Sequence, residues 1–170
     1  IGTYDFMDRS MAVNVNDTVG LRVYIRNSYD LSCGIIIRIG AIVLSCLNGM
    51  VSTRQVFSFY YRHSGNLRIE FPQPKRIIDG FSREARKWNE YAKIALNKKE
   101  REDFFLHLEG MEVFPNKLLD HARKNALSSV WDVLQSMTYH TTHVAKLGSI
   151  GYVARLEKIS QTFDDYFNVE

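Results

Sequence analysis

Arg22, Tyr24 and Arg26 alternate with Leu21, Val23 and Ile25 in the stretch LRVYIR. In an extended strand this alternation puts the apolar side chains on one face and a basic, aromatic, basic set on the other. The three polar residues then stand about 7 Å apart, twice the rise per residue. That interval is close to the spacing of nucleotides in an extended single strand. Guanidinium groups neutralise phosphates, and a ring under a base adds about 1–3 kcal/mol per stacked base. Exposed strand faces also carry arginine and tyrosine because these side chains pack well against cross-strand neighbours, so the alternation by itself leaves both readings open.

The wider charge pattern bears on the same point. Residues 22–76 carry eight bases against two acids, net +6, whereas residues 1–21 are net −2 and residues 77–170 net −1. The excess is mostly arginine, and the same segment holds seven tyrosines and phenylalanines. Arginine interleaved with aromatics is the composition of a phosphate-and-base surface. The candidate nucleic-acid contacts are Arg22, Arg26, Arg38, Arg54 and Arg62 for phosphates, Tyr24 and Tyr60 for bases, with Tyr29 as a further ring and Lys75 and Arg76 at the segment's end. A strand over 56–63 would extend the surface through its more polar side, Ser58, Tyr60 and Arg62. The six bases around residues 86–101 read as a solvated helix end rather than a second site, because Glu90, Glu100 and Glu102 interrupt or flank them.

Other chemistry finds little support. The chain has no phosphate-binding glycine loop, no dinucleotide fingerprint, no G-x-S-x-G elbow and no H-E-x-x-H pair. GIIIRIG at 34–40 has glycines, but the apolar residues between them do not open backbone N–H groups to a phosphate. His140 and His143 are three apart on one side of a helix, with His121 in reach, a sparse beginning for a metal site that needs three or four ligands. These absences predict a non-enzyme with no cofactor.

The elements that must position the candidates follow from hydrophobic period. Residues 19–27 alternate with period two, 33–47 are rich in β-branched residues, and 56–62 and 67–71 read as shorter strands. NSYD at 27–30, the Asn48-Gly49 pair and HSGN at 63–66 are turn signals. FPQPKR at 71–76 reads as the main break, because two prolines so close oppose regular structure. Beyond it, Ile78, Phe81, Ala85, Trp88, Ala92 and Ala95 recur at helical spacing, with Asp79 as the expected start. NKKERED at 97–103 reads as a charged solvated stretch, and a short helix is expected over 117–125. Ser129 with Asp132 resembles a capping start, and Gly148 with Gly151 closes that helix. A last amphipathic helix covers 152–167. The whole is read as a single α+β domain over 1–170, with an antiparallel sheet of meander or hairpin type at about 19–71 packed on helices at about 78–167.

At 170 residues the chain can bury a core without covalent staples. Cys33 and Cys46 belong to no C-x-x-C pair and read as reduced thiols. The longest apolar run, 35–47, is interrupted by Arg38 and is too short to span a bilayer, and no secretory leader pattern is seen. An intracellular protein without membrane partners is the expectation.

LRVYIRNSYD, IGAIVLSCLNGM, YRHSGN and VWDVLQSMTYHTTH occur in this order between Leu21 and His143. In this the chain resembles a family of phage- and plasmid-encoded proteins of poorly defined function. Within it, the chain is most similar to the single-stranded-DNA-binding RNA polymerase cofactors of lytic podophages. The resemblance implies single-stranded DNA as ligand, a phage RNA polymerase as protein partner, the host cytoplasm as location and no catalysis. It supplies no motif residues, so the contacts named above rest on the pattern alone. Single-strand annealing or replication, a protein-interaction module acting against host or defence factors, and a metal-dependent nucleic-acid enzyme stand as alternatives, and homo-oligomerisation is left open.

Overall fold

The structure, a computed structural model, describes residues 2–14, 17–27, 34–43, 48–51, 58–62, 73–125 and 128–168. Among these residues a five-stranded antiparallel sheet is followed by five α-helices, an α+β arrangement. By its contacts the chain divides into two compact units, Ile1–Arg86 and Lys87–Glu170.

The first unit is built on β1 (Gly2–Asn14), β2 (Asp17–Arg26) and β3 (Ile35–Val43), paired in that order. The free side of β3 is shared end to end by two short strands. β5 (Ser58–Tyr61) pairs with residues 35–38 and β4 (Asn48–Val51) with residues 40–43. The meander expected from 19 onward therefore holds, with β1 added before it. β1 shows no clean alternation because its pairing to β2 breaks twice. Between Phe6 and Ser10 β1 advances four residues while β2 advances one, and an extra residue follows Ala12. Each break moves later side chains relative to the pleat, so period two is lost.

Asn48 and Gly49, a turn signal in the sequence, lie instead inside β4, opposite Val43 and Ile42. The connection runs through 44–47, which lies outside the described residues, as do the expected turns at 28–30 and 63–66, the strand at 67–71 and both cysteines. Leu21, Ile37, Ala41, Val19 and Val43 are buried, and the register places them on one face, with Leu21 opposite Ala41 and Val19 opposite Val43.

α1 spans Pro74–Lys93. The two prolines do not hold the chain out of regular structure as far as Ile78. Pro74 opens the helix, where its missing N–H is not required and its fixed φ suits the first turn. Phe81, Ala85, Trp88 and Tyr91 are its buried apolar residues.

In the second unit α2 (Lys98–Gly110) begins at an Asn97 cap. The Asn97 side chain accepts from the Glu100 N–H at 3.0 Å, and Glu100 accepts from the Asn97 N–H at 2.9 Å. The stretch expected to be charged and solvated is largely exposed, and it forms a capping box and first turn. α3 (Asn116–Asn125) falls where a short helix was expected. α4 (Val130–Tyr139) starts at Ser129, whose hydroxyl accepts from Asp132 N–H while Asp132 accepts from Ser129 N–H, as the sequence signature required. α4 runs into a π-helical turn, His140–Val144, and α5 (Ser149–Phe167) follows with Gly148 as its N-cap and Gly151 inside it.

Trp88, Trp131, Phe104, Leu134, Ile159 and Phe163 are buried in this unit. The Trp88 and Trp131 rings lie 6.4 Å apart, and Phe104 meets Phe163 edge to face at 5.2 Å. Such pairs add about 0.5–1.5 kcal/mol each beyond the area they bury. A short bridge between Ala95 and Ser129 ties the start of α4 to the segment before α2.

Candidate nucleic-acid interface

Residues directly opposite one another in an antiparallel pair share a face. Tyr24 stands opposite Arg38, and Arg38 opposite Ser58. Arg22 stands opposite Gly40, Arg26 opposite Ile36, and Ile36 opposite Tyr60. One face of the β2–β3–β5 ladder therefore gathers the positions of Arg22, Tyr24, Arg26, Arg38 and Tyr60, as the alternation required.

The exposure of that face departs from expectation. Tyr24 is only 2% exposed, so its ring is not open for a base to stack on. The Arg22 guanidinium carbon lies 5.9 Å from the Tyr24 ring centre, within cation–π reach. Arg22 and Arg38 are half-buried. The expectation that Arg22, Tyr24 and Arg26 project together into solvent fails at Tyr24. The signal for this lies in the neighbouring strand. IIIRIGAIV offers apolar residues to both faces, and Ile42, which pairs with Gly20 on the Tyr24 side, is buried. A strand apolar on both sides implies cover on both.

Tyr60 is the open ring of the ladder, at 59% exposure. It rests beside Gly34, just before β3. A Cβ built at Gly34 would lie 2.9 Å from two ring carbons of Tyr60 and would collide with the Tyr61 carbonyl oxygen. A glycine is therefore required where the chain enters β3, because only a residue without Cβ lets another backbone approach so closely. Reading GIIIRIG for phosphate binding alone misses this role, although a glycine immediately before a β-branched run is the form such a signal takes.

Arg62 is exposed directly after β5. Lys75 and Arg76 are exposed in the first turn of α1, and no described contact joins them to the sheet face. Tyr29, Arg54 and the Arg26 side chain lie outside the described residues.

The chain matches, over residues 6–168, the family described as Domain of unknown function (DUF932). The chain belongs to that family. No curated protein and no solved structure matches it.

Two of the other ionisable clusters among the described residues of this DUF932 chain bear on the sequence expectations. His121, Tyr139, His140 and His143 gather where α3 meets the end of α4. The His121 ring is parallel to Tyr139 at 5.9 Å and lies 5.2 Å from His140, and Tyr139 is 4.8 Å from His143. His121 and His140 thus approach, with His143 against Tyr139 beside them, yet no group of three or more ligand-type residues among those described is arranged to hold a metal. The second group corrects the reading of residues 86–101 as wholly solvated. Lys87 is 4% exposed, and its Nζ lies 2.8 and 2.9 Å from the two oxygens of Asp164. No described helix is long and apolar enough to cross a membrane.

Proposed function

We propose that this DUF932 protein binds single-stranded DNA without strong sequence preference and without catalysis. The observation that carries the reading is the β2–β3–β5 face, which sets Arg38 diagonally beside the exposed Tyr60, with Arg22 farther along the same face. Arg62 continues that edge into solvent. In this reading Tyr60 stacks on a base, and Arg38 with Arg62 supplies positive potential along the backbone. Tyr24 acts from beneath, as the surface on which Arg22 lies. The ordered resemblance to phage single-strand binders supports the finer form: a cofactor that works with a phage RNA polymerase in the host cytoplasm.

Fluorescence polarisation with matched single- and double-stranded oligonucleotides at two salt concentrations tests it. The reading expects a single-strand preference and an affinity that falls steeply with salt, because bound phosphates release counterions. Equal affinity for both forms, or a flat salt response, overturns it.

A protein-interaction role has one observation in its favour. Leu106, Val113, Val144 and Tyr166 are large apolar residues left exposed in the second unit. A polymerase-contact surface on that unit is compatible with DNA binding by the first.

A further inference from the structure

We propose that His140 is a proton-operated latch: protonation of its imidazole opens the π-helical turn His140–Val144 and frees the joint between α4 and α5.

His140 is 7% exposed, and its Nδ1 is buried without a hydrogen-bond partner. A neutral imidazole tolerates this position, since one ring nitrogen can remain an unused acceptor. An imidazolium carries N–H on both nitrogens and would bury a charged donor with nothing to receive it. The elements packed around the turn make the charge less welcome still. α3 presents His121, with its ring 5.2 Å away, and α5 presents Arg155. Arg155 adds a fixed positive charge, and neither residue offers an acid to offset one on His140. Burial first, then His121, then Arg155, hold the His140 pKa below its ordinary value.

The backbone here departs from the α-helical ladder of α4. The Ala145 N–H reaches back five residues to the His140 carbonyl at 2.8 Å, replacing the ordinary four-residue bond. The Leu147 N–H then bonds to the Ala145 carbonyl in a bend that leads to α5. π-helical turns are rare and cluster at functional sites. Here the turn places a titratable ring at the point where the ladder changes pitch.

The sign follows from linkage. A base whose pKa is lowered in the closed form binds its proton more readily when the turn opens. Closure is fully favoured above the ordinary histidine pKa of about 6.5 and is lost as pH falls below it. The freed segment would carry Val144, already exposed, and His143 away from Tyr139.

Hydrogen exchange on the full chain, corrected for intrinsic rates, reads the opening directly. Between pH 7.5 and pH 5 the protection of the Ala145 and Leu147 amides should fall severalfold, in the direction that a lowered His140 pKa requires. The buried Leu108 amide in α2 should keep its protection. His140→Phe should abolish the pH response, and His140→Gln serves the same purpose if the phenylalanine variant does not fold. Equal protection at both pH values, or a pH response retained in either variant, overturns the latch. So does an NMR titration of the wild-type His140 ring with a midpoint at or above 6.5.

Discussion

The Tyr91 hydroxyl donates to Asp164 at 2.8 Å, and the same carboxylate takes the Lys87 ammonium from seventy-seven residues away. This acid links the end of α1 to α5, with Tyr91 and Lys87 on successive turns of α1. Removing the shared acceptor takes a hydrogen bond from two buried donors at once. Asp164→Ala should therefore destabilise the protein by about 3 kcal/mol, read as a lower urea midpoint at unchanged slope. Lys87→Met should cost less, because Asp164 keeps Tyr91 and is itself half-buried. If the double variant costs less than the sum of the two single variants, the pair is coupled.

Tyr60 and Tyr24 should separate in their effects. Tyr60→Ala should weaken single-stranded DNA binding by about 1–3 kcal/mol while leaving the melting temperature nearly unchanged. Tyr24→Ala should do the reverse, lowering stability by about 3 kcal/mol or more through loss of a buried ring. Polarisation and thermal melting of both variants make the comparison.

Gly34→Ala should impair both properties. The added Cβ collides with the Tyr61 carbonyl, which is backbone and cannot swing aside, and crowds the Tyr60 ring. A loss of about 1–3 kcal/mol is expected from overpacking, with exchange rising at the β3–β5 amides. An unchanged exchange pattern would remove Gly34 from its assigned role.

Thermal stability should decline as pH falls below about 6.5, with His140→Phe flattening the decline. The direction follows from a pKa lowered chiefly by burial and then by His121 and Arg155. Calorimetry at pH 7.5, 6.5 and 5.5 on both proteins checks it.

Ser129→Ala should cost about 1 kcal/mol, the usual worth of an N-cap, and Asn97→Ala a similar amount. Equilibrium urea unfolding measures both.

Those two caps show what can be read from local sequence. Ser129 with Asp132 is legible because an apolar run follows at once. Asn97 with Glu100 has the same spacing, but the run of charged residues after the cap hides the helix. β2 is legible because its pairing to β3 keeps one register throughout. β1 is not, because its register breaks twice and its pattern follows neither period. At the candidate interface, the sharing of a face by Arg22, Tyr24 and Arg26 follows from alternation alone, whereas Arg38 joins it through the β2–β3 register. The burial of Tyr24 depends on what covers the sheet, which alternation within one strand does not encode. Lys87 looks solvated for a related reason: its partner Asp164 lies on the last helix, far beyond any local window.

The broken register of β1 has a consequence for how the protein behaves in company. Among the described residues β1 is an outer strand, and at thirteen residues it is long enough to recruit a strand from another molecule. A recruited strand must match its partner's rhythm of N–H and C=O groups over several residues. The insertions after Phe6 and after Ala12 interrupt that rhythm, so no straight strand can zip along the whole edge. Deleting the three residues between Phe6 and Ser10 would join the ladder from Gly2 to Ala12 and, with it, leave a sheet prone to stacking into fibres.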